Sequence, residues 1–100
     1  MSEYNGWTNY ETWLVNLWIT NDSAEYEYWL DAARTEREQW LGDRPIAVCA
    51  ARLADAFENN ATDALGESGP LRDLLFAALD AVNWHEIARH IMEDAKENAA

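Results

Sequence analysis

The pentapeptide Tyr-Glu-X-Trp-Leu occurs twice near the start of the chain, at residues 10–14 and 26–30. Residues i, i+3 and i+4 of an α-helix share one face, so each copy places a tyrosine, a tryptophan and a leucine along one side of a helix. No segment shows the strict alternation of apolar and polar residues that is typical of a strand. The doubled pentapeptide therefore predicts two successive helices that pack through aromatic faces.

The same helical spacing of apolar residues continues along the rest of the chain and predicts five helices. They cover approximately residues 9–20, 23–41, 45–58, 70–82 and 84–97. Residues 1–7 are predicted to form an irregular lead with a turn at Gly6, residues 66–70 a loop, and residues 97–100 a frayed end. We therefore predict an all-α, compact single-domain bundle over residues 1–100.

Three of these helices begin with residues of the capping-box type, in which a side chain accepts a hydrogen bond from the amide three residues later. We predict that Thr8 caps the first helix together with Glu11, and that Asp22 and Asn83 cap the second and fifth helices. The first helix is apolar on a wide face and is expected to be the most buried. Arg37 interrupts the apolar face of the second helix, and we expect it to lie along a tryptophan or to pair with a carboxylate.

Tryptophan and cysteine content indicate how the core is built. Six tryptophans are present, and we expect them to supply much of the core, since each large ring buries roughly 150–250 Å². Cys49 is the only cysteine, which excludes an intramolecular disulfide and fits a reducing compartment. We expect it to be a small core residue.

No signal-peptide pattern and no apolar run of ~18 residues is present, so we predict a cytoplasmic protein without a membrane span.

The net charge of −12 argues against direct binding of nucleic acid or of an anionic membrane, because both require clusters of Lys and Arg. The natural electrostatic complement is a basic protein surface. An alternative stays open, in which the acidity keeps a tryptophan-rich protein soluble or reflects a high-salt habitat.

The acidic residues concentrate in the first third of the chain, where residues 1–33 hold six carboxylates and no Lys or Arg. On the second helix, Glu27, Asp31 and Glu38 fall on one line along the surface. The predicted partner-binding residues are these three together with their acidic and aromatic neighbours: Glu25, Glu27, Tyr28, Asp31, Glu36 and Glu38. The alternative is an ordinary solvated helix face, and exposed aromatic residues beside the line would favour an interface.

The sequence offers little support for catalysis or metal binding. The two histidines, His85 and His90, are five residues apart, whereas a zinc site on one helix needs them four apart. Glu86, His90 and Asp94 share a face, and a small metal-assisted hydrolase built on them is a minor alternative. We predict a non-enzymatic protein with no catalytic residue, no bound metal and no cofactor.

Two segments resemble a known group of sequences. Residues 4–18, YNGWTNYETWLVNLW, resemble a recurrent N-terminal motif of small acidic proteins carried by phages, plasmids and other mobile elements, and residues 82–88, VNWHEIA, are similar to their closing helix. Most such proteins have no known function, but they include anti-CRISPR and anti-restriction inhibitors, some of which mimic nucleic acids. This implication rests on origin and charge rather than on shared catalytic residues.

The leading functional prediction follows from the charge and from this resemblance. It is a protein of a mobile element that inhibits a host defence complex, a CRISPR effector or a restriction enzyme, by binding its basic nucleic-acid channel. The alternative is a structural or regulatory adaptor that binds through an apolar or aromatic helix surface, including as a homodimer.

Overall fold

The computed structural model describes residues 4–40 and 42–97, and within these ranges the chain forms five α-helices and no extended strand. The helices are α1 (Tyr10–Asn21), α2 (Ser23–Gln39), α3 (Arg44–Leu65), α4 (Pro70–Asp80) and α5 (Trp84–Glu97). The predicted all-α single-domain bundle is confirmed. Among the described residues, no helix combines the length and apolarity needed to cross a bilayer.

The described part of the N-terminal lead is a tight turn that precedes α1. The backbone amides of Tyr4 and Trp7 each donate to the carbonyl of the other at 2.8 Å. Asn5 and Gly6 both have positive φ, at 50° and 88°, which suits the Asn-Gly pair at the centre of such a turn. The turn at Gly6 is thus confirmed, while residues 1–3 lie outside the described residues.

Helix α5 is the centre of the bundle and packs against α1, α2 and α3. Its buried face repeats at helical spacing, so the helix inserts one continuous apolar stripe between its neighbours. The stripe consists of Ile87, Ala88, Ile91, Met92 and Ala95. Helices α2 and α3 complete the core with Trp29, Leu30, Ala33, Cys49 and Leu53.

The expectation that α1 is the most buried helix is wrong. Of its residues, Thr12 and Ile19 alone are buried. Apolar side chains surround α1 on most sides, so the pattern does not choose one face, and Trp18 remains 68% exposed. The tryptophans also contribute less to the core than expected. Trp29 is buried in the core, and Trp7 and Trp84 pack against the edge of the core. Trp18 and Trp40 are exposed.

Helix boundaries differ from the predictions where burial outweighs local propensity. Helix α3 continues through Asn59 and Asn60 to Leu65, past the predicted end at residue 58, because Ala61 in the following turn is buried. Unfavourable helix propensities of asparagine are below about 1 kcal/mol each and are offset by such burial. Helix α4 ends at Asp80 rather than at residue 82. Helix α2 ends at Gln39, and the predicted last residue, Leu41, lies outside the described residues, as do residues 98–100.

The start of α1 is tied to the start of α5 by a hydrogen-bond network that we call the α1–α5 clasp, formed by Thr8, Asn9, Thr12, Asn83 and Glu86. The Thr12 hydroxyl accepts from the Asn83 amide at 2.8 Å and donates to Asn9 Oδ1 at 2.6 Å. The Asn83 side chain donates to Thr8 Oγ1 at 3.1 Å, and the Thr8 amide donates to Glu86 Oε1 at 3.1 Å. Asn9 Nδ2 reaches the last turn before α5, where it donates to the carbonyl of Ala81 at 2.7 Å.

The clasp also corrects one predicted cap. Asn9, not Thr8, is the N-cap of α1, and its side chain accepts from the Thr12 amide at 2.9 Å. Thr8 does not cap α1 because its amide donates to Glu86 and its hydroxyl accepts from Asn83 at the start of α5. The predicted caps Asp22 and Asn83 are confirmed, since their carboxylate and amide oxygens accept from the amides of Glu25 and Glu86 at 3.1 and 3.0 Å.

Candidate interaction surfaces

The outer face of α2 carries part of the predicted acidic line. Glu27, Asp31 and Glu38 are all exposed. Arg34 falls on the same line, between Asp31 and Glu38, and its Nη1 contacts Asp31 Oδ1 at 2.9 Å. The line is therefore interrupted by one positive charge, which the sequence reasoning did not take into account.

Glu36 does not belong to this surface, contrary to the prediction. It is 4% exposed and its Oε2 lies 3.2 Å from Nη2 of Arg52 on α3. Glu36 follows Trp29 by seven residues and Ala33 by three, so it continues their core-facing side. Arg37, which was expected to interrupt the apolar face, is instead exposed. The buried acid is compensated by an arginine from the neighbouring helix, as a buried carboxylate requires.

The other two predicted residues, Glu25 and Tyr28, lie on a groove between α2 and α3 that we call the α2–α3 groove. It has a volume of about 580 Å³ and is also lined by Arg52, Asp55, Asn59 and Asn60. A second hollow of about 230 Å³ adjoins it and shares Glu25, Trp29, Ala56 and Asn60. The exposed Trp18 lines this second hollow, so the pair of hollows follows the corner where α1 turns into α2.

Trp29 forms the inner wall that both hollows share. Its ring is 4% exposed, and its indole Nε1 has no acceptor within hydrogen-bond distance in the described part of the chain. A buried donor without an acceptor costs about 1–3 kcal/mol. Tyr28 packs edge-on against the same ring, at 5.0 Å between centroids. A residue on the wall of the groove thus holds a buried hydrogen-bond donor without an acceptor, and exposed carboxylates lie on the same groove.

A different surface lies on α4, which packs mainly against α3. Leu71, Leu74 and Leu75 occupy positions i, i+3 and i+4 and point away from the core, and Leu71 and Leu74 are 66% and 68% exposed. Leu65 at the end of α3 is also exposed. A row of leucines at helical spacing on the surface is an apolar contact face rather than scattered exposure. We call it the α4 leucine face.

The residues considered for metal binding are each engaged elsewhere. Glu86 belongs to the α1–α5 clasp, the ring of His90 stacks against Trp7 at 4.4 Å, and Asp94 accepts a hydrogen bond from the hydroxyl of Tyr26. Within residues 4–40 and 42–97 no group of three or more His, Cys, Asp or Glu side chains is arranged to hold a metal ion. The geometry therefore gives the metal-assisted hydrolase no support.

Cys49 is buried in the core, as expected. Burial raises the pKa of its thiol to about 11, with a smaller opposing effect from the Arg52 guanidinium. The thiol is therefore neutral at physiological pH, and a neutral thiol is a poor nucleophile.

Sequence reasoning missed the α2–α3 groove because its walls come from residues about 30 positions apart, such as Glu25 and Asp55. It also missed the exposure of Trp18. The one available signal was the wide apolar face of α1, since a small bundle has no room to bury every side of a helix.

Comparison with known proteins adds a family but no activity. Residues 1–99 match the model of a protein family described as a family of unknown function, DUF7249. No curated protein and no solved structure matches the chain.

Proposed function

Since the chain belongs to the DUF7249 family, whose function is unknown, we propose from its surfaces that it is a binding protein that docks its acidic, aromatic side against a basic partner protein. This side comprises the exposed acids of α2 and the two aromatic residues beside them. The observation that carries the proposal is the exposure of two large rings beside acids. Tyr28, 61% exposed, lines the α2–α3 groove with Glu25, and Trp18, 68% exposed, lines the adjoining hollow with Asp22 and Glu25.

Charge alone does not distinguish an interface from a solvated helix, but exposed large aromatic rings do. Tryptophan and tyrosine are enriched in interfaces, because each ring supplies a large contact area at little conformational cost. Exposed rings next to carboxylates offer a cationic side chain both a π face and an opposite charge. Steering by the net charge of −12 speeds encounter with a basic partner at low salt.

The proposal also includes a class of partner. The resemblance of residues 4–18 and 82–88 to mobile-element proteins favours a host defence complex, such as a CRISPR effector or a restriction enzyme, and its basic nucleic-acid channel as the docking site. Such a role requires a cytoplasmic protein. It requires no bound metal, cofactor or catalytic residue in this chain.

The test is capture of partners on the immobilised protein, with washes at about 0.1 M and then about 1 M salt, which shorten the Debye length from about 10 Å to about 3 Å. Mass spectrometry then identifies what elutes. We expect a nucleic-acid-binding complex that is released by salt and that is not captured when Glu27, Asp31 and Glu38 are all replaced by Lys. The matched control replaces three exposed acids elsewhere, Asp63, Glu67 and Asp80, by Lys and has the same net charge.

If both variants lost capture equally, binding would depend on the net charge of the protein and not on the outer face of α2. Unchanged capture by the variant of Glu27, Asp31 and Glu38 would exclude the outer face of α2 from the interface.

A second function is favoured by the α4 leucine face, namely an adaptor or homodimer held by apolar contact. Leu71, Leu74 and Leu75 would then carry the affinity, and association would persist or strengthen as salt rises, whereas the acidic interface weakens. Sedimentation at several protein concentrations and both salt levels tests this. Replacing Leu71 and Leu74 by Gln should abolish self-association, and a wild-type protein that stays monomeric at all concentrations would refute the homodimer.

A further inference from the structure

We infer that the α2–α3 groove is a recognition site for an arginine of an extended peptide segment, with the backbone of that segment accepting a hydrogen bond from the Trp29 indole. The inference rests on the proposed function, because it assigns one part of the basic partner to one place on this chain.

The charge of the groove selects a cation. Arg52 is the positive residue among those that line it, and its guanidinium is already paired with the buried Glu36 at 3.2 Å. The exposed carboxylates of Glu25 and Asp55 are left without such a neutralising partner inside the groove, one on each wall. An entering cation therefore meets an opposite charge on both α2 and α3.

The shape and the walls favour arginine over lysine. A volume of about 580 Å³ admits a long side chain together with part of its backbone. Asn59 and Asn60 add amide oxygens to the two carboxylates, and a planar guanidinium with five donors can serve several such acceptors at once. The exposed ring of Tyr28 offers a π face, on which a guanidinium stacks more readily than an ammonium group.

The Trp29 indole specifies the remainder of the ligand. Its buried N–H has no acceptor in the described part of the chain, and a guanidinium carries no acceptor to offer it. A peptide carbonyl beside the arginine does. Tyr28, which contacts the Trp29 ring edge-on and is itself largely exposed, has little packing to lose if access to the indole requires it to move.

The experiment uses nuclear magnetic resonance, because each of the six tryptophans gives its own indole N–H signal. The signal of Trp29 is assigned on the wild-type protein, and the blocked tripeptide Gly-Arg-Gly is titrated at low salt. We expect the Trp29 indole signal to move saturably and downfield, as a new hydrogen bond requires. The same peptide with citrulline, which keeps the shape and the carbonyls but lacks the charge, should bind about five-fold more weakly.

Two variants of equal net charge locate the site. Glu25→Gln with Asp55→Asn removes both groove acids and should weaken the arginine peptide about five-fold. Glu27→Gln with Glu38→Gln removes two acids from the outer face of α2 and should leave its affinity within about two-fold. Both pairs replace exposed side chains, so the variants are expected to fold.

An unmoved Trp29 signal, or equal weakening in both variants, would overturn the inference. Neither result would touch the proposed function, which is judged separately by salt-dependent capture and by charge reversal at Glu27, Asp31 and Glu38. If the protein captured no partner but the Trp29 indole signal still moved saturably with the arginine peptide, the groove would bind arginine and the wider acidic interface would be refuted.

Discussion

Replacing Thr12 by Val tests whether the α1–α5 clasp holds the first helix in place. Thr12 is fully buried, at 0% exposure, although Ile19 is the one other buried residue of α1. Valine has nearly the same shape as threonine, because it keeps the methyl group and has a second methyl group in place of the hydroxyl. The substitution therefore removes a hydroxyl with little change in packing.

The magnitude follows from the two bonds that this hydroxyl makes. Without it, the Asn83 amide loses its acceptor at 2.8 Å, and a donor left unpaired in a partly buried position costs about 1 kcal/mol or more. The bond to Asn9 Oδ1 at 2.6 Å contributes about 1 kcal/mol. We expect Thr12→Val to lower the free energy of unfolding by about 2 kcal/mol, which lowers Tm by roughly 10 °C in a domain of this size.

Thermal and urea unfolding followed by circular dichroism measure the effect. Two controls accompany it. Thr12→Ser keeps the hydroxyl and removes one methyl group, which should cost about 1 kcal/mol. Thr20→Val makes the same change on an exposed residue of α1, whose hydroxyl bonds within its own helix at 2.9 Å, and should cost less than about 0.5 kcal/mol. If Thr12→Val were no more destabilising than Thr20→Val, or if Thr12→Ser matched it, the hydroxyl would not be the stabilising group.

Three further outcomes are expected. Burial, and next its hydrogen bond to Asp94, raises the pKa of Tyr26 to about 12. Because the phenol of the unfolded chain ionises near pH 10, the free energy of unfolding should fall between pH 10 and 12. Tyr26→Phe should remove this alkaline step when unfolding is measured as a function of pH. Cys49, buried with a pKa of about 11, should react with a thiol reagent at neutral pH only as fast as the protein unfolds; rapid labelling of the native protein would contradict this. Leu74→Ala should change the free energy of unfolding by less than about 0.5 kcal/mol, whereas Leu53→Ala, at a fully buried position, should cost about 2–5 kcal/mol.

The helices were predictable because their evidence is local. Apolar spacing and caps such as Asp22 and Asn83 act within a few residues, and the structure retains them. Predictions failed where a distant segment competes for the same group. The cap of α1 moved from Thr8 to Asn9 because Glu86 and Asn83, more than 70 positions away, bind Thr8.

The candidate surfaces were only partly predictable for a related reason. A helical wheel assigns residues to faces, but the rotation of the helix within the bundle decides which face is buried. A small difference in that rotation exchanged the expected roles of Glu36 and Arg37, so the acid became buried and the base exposed. The α2–α3 groove and the free Trp29 N–H depend on how two helices meet, which no spacing within one helix encodes.

The α1–α5 clasp joins two segments that leave the ribosome several seconds apart. The ribosome releases Thr12 early, yet its partner Asn83 follows 71 residues later. At about 5–20 residues per second, the N-terminal helix waits about 4–14 s for the residues that complete its hydrogen bonds. During that interval its apolar surface has no α5 to cover it, and limited proteolysis of stalled nascent chains should find α1 protected only after α5 has emerged. Of the five helices that the structure describes, α5 emerges last, and its arrival completes the hydrogen bonds at the start of the first.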